Sequence, residues 1–162
     1  MDYLSQIYLL SSQFIQDYPI NKYPELMHKR GRPYACLLIE THDDYYICIP
    51  FRSAINHKNA YLFRNTKRSQ QTNSGLDYSK IVIINNPDYL DSATPAIVDR
   101  DEYHEMMTNL SQIVKEAISY VDTYINHINR TNPLHPKQYK RKYGFSTLKY
   151  FHRELGIINK QI

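Results

Sequence analysis

The chain has no tryptophan, only four glycines and only two cysteines among its 162 residues. So little glycine leaves neither a GxGxxG turn nor a P-loop, and this excludes the glycine-rich loops that cradle nucleotide phosphates. Cys36 and Cys48 each sit inside an apolar run, so both are expected in the core rather than in a redox pair or thiolate metal site. Two thiols and no secretion signal fit a reducing cytosol. The segment from Met1 to Asp17 has no basic stretch followed by an apolar one, and no later run approaches membrane-spanning length. A soluble cytoplasmic protein without a membrane partner is expected. The seven histidines are scattered, and the acidic residues do not converge as a two-metal centre requires, so no metal and no cofactor are expected.

The chain is instead rich in tyrosine and in locally segregated charge. Sixteen tyrosines accompany a net charge of +4. Between Arg52 and Lys80 the basic residues are Arg52, Lys58, Arg64, Lys67, Arg68 and Lys80, against Asp77 alone. Between His135 and Lys160 they are Lys137, Lys140, Arg141, Lys142, Lys149, Arg153 and Lys160, against Glu154 alone. Asp88 to Glu105 is acidic, relieved only by Arg100. Two basic blocks in one small domain predict a charged face able to hold a polyanion. The plain alternative is a set of solvated loops. Tyr61, Tyr78, Tyr139 and Tyr143 lie within the basic blocks, where a ring can stack on an unpaired base or pack in the interior.

The length is that of one domain, residues 1–162. Ser5 to Leu10 reads as a strand, followed by a short helix capped by Ser11 or Ser12 and ended before Pro19. Ile20 to Pro33 reads mainly as loop. Tyr34 to Glu40 and Tyr45 to Phe51 are apolar at nearly every position and flank Thr41-His42-Asp43-Asp44, which predicts a central hairpin covered on both faces. Ala54 to Ser74 reads as loop with one short element near Ala60 to Phe63. Lys80 to Ile84 is a third strand, and the acidic stretch should hold an edge strand or turn. From Asp101 to Asn129 apolar residues recur at three and four positions, predicting one long helix. Pro133 and Pro136 follow it, then a basic loop, and then a helix capped by Ser146 and stopped by Gly156. Strands first and helices later give an α+β domain with a small, mostly antiparallel sheet.

Chemistry concentrates where the second hairpin strand ends. Ile-Pro-Phe-Arg-Ser53 leads into Asn56, His57 and Lys58, which together supply cations, a hydroxyl, an amide and an imidazole. These groups suit a phosphodiester. In metal-free RNA cleavage the 2′-hydroxyl is the nucleophile, so the protein needs only to move protons and offset phosphorane charge. Arg52 offers parallel donors to phosphate oxygens, Lys58 a point charge, His57 an imidazole for acid or base work, and Ser53 a donor or relay. The same residues would serve a loop that binds RNA or DNA without cutting it.

The order of motifs resembles a known family. Gly-Arg-Pro-Tyr34 precedes the first hairpin strand, Ile-Pro-Phe-Arg-Ser53 ends the second, and Ile-Asn-His-Lys58 and Gly-Leu-Asp-Tyr-Ser-Lys80 come after it. Together, over about Gly31 to Ile84, they resemble the endoribonuclease toxins of type III toxin–antitoxin systems (the ToxN, AbiQ, CptN and TenpN group, TenpN most of all). The resemblance implies a strongly bent, MazF/Kid-like barrel with a long helix and a shorter C-terminal one. It implies sequence-selective, metal-independent cleavage to a 2′,3′-cyclic phosphate. The partner would be an RNA antitoxin of short pseudoknotted repeats, held in a closed toxin–RNA assembly.

By that resemblance the catalytic residues are Ser53, Arg52, His57, Lys58 and Arg32. Ser53 matches the family's serine. Where the family has a lysine shortly after it, this chain has none, and His57 or Lys58 takes its place. Arg32 falls where the family has a lysine before the first strand; an arginine stays protonated to above about pH 12, so it would offset charge rather than move protons. That leaves proton transfer to His57, Lys58 or a tyrosine. Arg30, Tyr34, Asn56, Tyr61, Arg64, Lys67, Arg68, Tyr78, Lys80, Lys137, Lys140, Arg141 and Lys142 are the expected RNA-binding set, with Lys80 on the RNA backbone.

Overall fold

A proline inside a central strand cannot donate to either neighbour, and the sheet is built around such a residue, Pro50. The computed structural model describes residues 6–27 and 34–157. Its strands are β1 (Gln6–Leu10), β2 (Ala35–Glu40), β3 (Tyr46–Arg52), β4 (Ala60–Leu62), β5 (Gly75–Asp77), β6 (Val82–Ile84) and β7 (Leu90–Asp91). Its helices are α1 (Ser12–Asp17), α2 (Arg100–Thr108), α3 (Leu110–Ile128) and α4 (Pro136–Tyr143). The strands form an antiparallel sheet in the order β4-β5-β3-β2-β1-β7, with β6 also paired to β3. The domain is α+β, and among the described residues the sheet is open, with β4 and β7 at its edges.

The predicted hairpin is β2–β3, and it is central: β2 lies between β1 and β3, and most of both strands is buried. On its other edge β3 takes β6 and then β5. Cys48 faces Val82 and Phe51 faces Leu76, so three positions along β3 correspond to six along the opposing segment. The surplus residues form a 3-10 turn, Tyr78–Lys80, in the interval that spans Pro50. This acts as a large bulge, and bulges re-aim side chains where a ladder is interrupted. Thr147, fully buried, holds the bulge from behind by donating its hydroxyl toward the Ser79 and Ile81 carbonyls.

The N-terminal elements agree with the sequence reading. Ser11 caps α1 by accepting from the Phe14 N–H, and Ser11 Oγ donates to the Asp88 carbonyl at 2.6 Å. The acidic stretch supplies the edge strand β7 against β1. Cys36 and Cys48 are both buried and unbonded to each other. Among the described residues no helix is long and apolar enough to cross a membrane.

Three expectations need correction. The single helix from Asp101 to Asn129 is two, α2 and α3, broken at Asn109 (φ −112°, ψ 20°). Thr108 and Asn109 cause the break: their side chains donate back to the His104 and Glu105 carbonyls and compete with the helical ladder. The basic loop after Pro133 is instead the helix α4. Pro136 stands in its first turn, and His135 and Gln138 form a reciprocal capping box. Ser146 does act as a cap, but the element it caps is a 3-10 turn, Thr147–Tyr150, rather than an α-helix.

α3 buries Ile113, Val114, Ala117, Tyr120, Val121 and Tyr124 along one face, in one cluster with Leu37, Ile47, Ile49 and Ile83 of the sheet. Many tyrosines fill this interior and satisfy their hydroxyls locally, as buried rings with a polar end require. Tyr143 donates to the Tyr120 carbonyl at 2.6 Å and Tyr120 to the Lys142 carbonyl at 3.3 Å, which fastens α4 to α3.

Two glycine substitutions separate packing from backbone strain. A Cβ at Gly75 would lie 1.8 Å from the Tyr61 carbonyl oxygen, so Gly75→Ala must separate β4 from β5. It should cost about 3 kcal/mol or more, because backbone cannot step aside as a side chain can. Gly156 has φ +71° but open space around it, so Gly156→Ala should cost only about 1 kcal/mol. Urea denaturation of both variants measures the difference.

Candidate functional site

Asp77 ends β5 and begins the bulge, and its side chain is completely buried. Oδ1 accepts from the Ser79 N–H at 2.9 Å and the Ser79 hydroxyl at 2.6 Å. Oδ2 accepts from Arg52 Nη1 at 2.8 Å and lies 3.1 Å from His57 Nε2. A buried carboxylate is tolerated when it is paired and its lone pairs are filled, and four donors do this here. Asp77 thereby joins three segments: the end of β3, the turn at 57–59 and the 3-10 turn.

The tautomer of His57 is set by its partners. The Asn59 N–H donates to Nδ1 at 3.1 Å, so the proton of the neutral ring is assigned to Nε2, toward Asp77 and the Ser79 oxygen. With both nitrogens engaged, His57 orients Asp77 and the 57–59 turn. Arg52 is different. Its side chain is 30% exposed and commits only Nη1 to Asp77, which leaves further donors for an incoming anion. Ser53 comes next, half-buried, and Ala54 adopts φ +55°, a left-handed conformation unfavourable for a residue with a Cβ. Mutual hydrogen bonds between Ile55 and Asn73 hold that turn.

Lys80 completes the group. It closes the 3-10 turn, and its ammonium donates to the Phe145 carbonyl at 3.4 Å. Burial, and next the charge of Arg52, push its pKa below that of an ordinary lysine. The Phe145 ring beside this contact is 80% exposed.

The two basic blocks meet at one place. His57 and Lys58 from the first, and Arg141 and Lys142 from the second, line a cavity of about 590 Å³ together with Asn59, Leu134 and Gln138. Asn59 Nδ2 donates to the Lys142 carbonyl at 3.3 Å and ties the 57–59 turn to α4. Asn56, Lys137 and Lys140 are exposed nearby in sequence but do not line the cavity.

Other expected residues lie elsewhere. Tyr61 and Tyr78 are buried, with their hydroxyls donating to Glu105 and Glu116, so neither ring can stack on a base. Burial and then Glu116 hold the Tyr78 hydroxyl far above the usual tyrosine range, which removes it as a proton carrier. Tyr34 is half-buried, packed against the core. The loop of Arg64, Lys67 and Arg68 is docked on the acidic start of α2. Glu105 accepts from the Arg64 and Asn65 N–H groups, Asp101 from the Lys67 N–H, and Arg68 pairs with Asp99 at 3.1 Å. The last pair is half exposed and contributes at most about 1 kcal/mol; the buried Glu105 does the fastening. Arg30 and Arg32 lie outside the described residues.

Sequence reasoning missed Asp77 and Ser79 as site residues, counting Asp77 only as a stray negative charge. A signal existed: Asp-x-Ser ahead of a strand is the pattern of a side chain that caps its own turn. Among the described residues no three His, Cys, Asp or Glu side chains are grouped as a metal ion would need.

Asp77→Asn removes the charge shared by Arg52 and His57 and should cost about 2 to 3 kcal/mol in chemical denaturation. Arg52→Met strips the buried carboxylate of its paired cation and should cost at least as much, about 3 kcal/mol or more. A loss well below that of Asp77→Asn would show that Ser79 and His57 satisfy the carboxylate without Arg52. Comparison of the chain with protein-family models, with curated proteins and with solved structures finds no match.

Proposed function

We propose that this protein is a metal-independent endoribonuclease toxin of the type III toxin–antitoxin class. Its substrate is single-stranded RNA, and its antitoxin a repeat-derived pseudoknot RNA bound over the same basic face in a closed assembly. In this reading the sheet bends toward a MazF/Kid-like barrel. The observation that carries the proposal is the pairing of an anchored cation with a lysine of lowered proton affinity. Arg52 is fixed by buried Asp77, and its charge, after burial, lowers the proton affinity of Lys80.

Arg52 and Ser53 hold the non-bridging oxygens of the scissile phosphate. Lys80 in its neutral form takes the proton of the 2′-hydroxyl, whose oxygen then attacks phosphorus. The bond from phosphorus to the 5′-oxygen breaks, and Lys58 gives that oxygen its proton. The products are a 2′,3′-cyclic phosphate and a 5′-hydroxyl. A lysine serves as a base in proportion to its neutral fraction, so burial and a neighbouring cation both favour this role. This reading moves the proton-transfer assignment from His57, which positions Asp77, to Lys80, which the family resemblance had placed on the RNA backbone.

Total RNA incubated with the protein in EDTA should be cut, leaving 2′,3′-cyclic ends. RNA that is bound but intact would favour a non-catalytic RNA- or DNA-binding protein. Lys80→Met should lower the cleavage rate by about 100-fold or more, the usual scale of a lost general base. Ser53→Ala and His57→Ala should each lower both cleavage and toxicity, and unchanged values in both would sink the assignment.

The pH profile gives a signed test. Because the Lys80 pKa is lowered, its neutral form accumulates at lower pH than for a free lysine, and the rate climbs as pH rises through that range. Arg52→Gln removes one cause of the lowering. The climb should then shift to higher pH while the maximal rate falls.

A further inference from the structure

We propose that the cavity between the 57–59 turn and α4 is a pocket for a single nucleotide unit of the RNA, held next to the cut phosphate. This rests on the nuclease reading above and extends it to how the substrate is gripped. The volume of about 590 Å³ lies in the range of small-molecule sites, in a depression open to solvent. Its lining includes three cationic side chains, Lys58, Arg141 and Lys142, and no carboxylate, so the occupant is anionic.

It is also more than a phosphate site. Leu134 supplies an apolar wall, and the stems of Lys58 and Arg141 add to it. Arg141 further offers a planar guanidinium of the kind that stacks on bases. Asn59 and Gln138 bring two amides, each with both a donor and an acceptor, which is the equipment for reading a base edge. Asn59 spends one donor on the Lys142 carbonyl, and Gln138 Oε1 accepts from the His135 N–H, so both amides are held in place. A phosphate alone would leave the apolar wall and both amides unused.

His57 connects the pocket to the reaction. It lines the cavity and also lies against Asp77 Oδ2 and Ser79 Oγ. A nucleotide seated there would therefore share His57 with the Asp77 cluster that also holds Arg52. Unpaired bases splayed into such pockets are how single-stranded RNA is read.

The four ribonucleoside monophosphates, inorganic phosphate and RNA trinucleotides can be titrated against the purified protein by calorimetry. The His57 ring resonances can be tracked in parallel by NMR. At least one monophosphate should bind about tenfold or more tightly than inorganic phosphate and shift the His57 signals. Its parent trinucleotide should bind more tightly still; a trinucleotide no tighter than its monophosphate would make this a free-nucleotide site instead and overturn the RNA assignment. Arg141→Ala should weaken binding of every nucleotide, and Gln138→Leu should change the order of preference. Arg141 is exposed, so its variant should melt unchanged, whereas Gln138 also closes the α4 capping box, so Gln138→Leu should melt slightly lower while still folding.

Monophosphates that bind no better than inorganic phosphate, or binding indifferent to both substitutions, would overturn the pocket. A cleavage assay on the same preparations keeps the two claims apart. RNA cut without nucleotide binding defeats the pocket alone; nucleotide binding without cleavage defeats the nuclease reading and leaves the pocket standing.

Discussion

A completely buried carboxylate must be compensated on all sides, and Asp77 obtains its compensation from three separate stretches of chain. This condition organises the site. Because Oδ2 requires Arg52, the end of β3 is pulled toward the bulge. Because it also requires His57, the 57–59 turn is drawn in, and through Asn59 it carries the end of α4 with it. Ser79 fills the other oxygen, which tightens the 3-10 turn and sets where Lys80 emerges. None of these contacts is strong alone, since a hydrogen bond to a charged group is worth about 1.5 to 3 kcal/mol. Removing the carboxylate releases all of them together.

The bulge that carries Asp77 has its own cause. β5 and β6 lie along the same edge of β3, interrupted by Tyr78–Lys80 in the interval spanning Pro50. An uninterrupted strand there would alternate its side chains between the two faces and could not present residues 77, 79 and 80 as one group. The 3-10 turn changes that periodicity. Thr147, donating into the carbonyls of the turn, keeps it from relaxing back into a ladder. The ladder on that edge of β3 is thus interrupted by the segment that bears the chemistry.

Much of this was legible in the sequence. The hairpin declared itself by two apolar runs around Thr41 to Asp44, and the capped starts at Ser11 and Ser146 by hydroxyls ahead of apolar residues. These are local signals. The break at Asn109 was harder to see, because apolar periodicity continues across it while two side chains divert the backbone bonds. α4 was hidden by its composition: Pro136 and the cationic run look like loop unless Pro136 is taken as a first-turn residue. In the site, Arg52, His57 and Lys58 stood out by type. Asp77 did not: Asp-x-Ser marks only a self-capping turn, and its burial and its Arg52 and His57 partners are tertiary facts. Tyr61 and Tyr78 misled for the opposite reason, as their neighbours in sequence are cationic while their neighbours in space are Glu105 and Glu116.

Charge obeys the same logic. Counted along the chain, the first basic block is one unit; in space it divides. Arg64, Lys67 and Arg68 belong to a loop held by the acidic start of α2, where Glu105 and Asp101 accept from the loop's backbone and Asp99 pairs with Arg68. Arg52 pairs with Asp77, Lys80 closes the turn that follows it, and Lys58 lines the cavity with Arg141 and Lys142. Asp77 cancels one charge of that group and is itself buried, so it withdraws little from the field outside. Burial, and next the repulsion of Arg52, lower the proton affinity of Lys80. A phosphate entering the site would remove that repulsion. The arrangement therefore binds an anion more favourably than a lone lysine could, while the burial of Lys80, which the phosphate does not undo, continues to favour its neutral form.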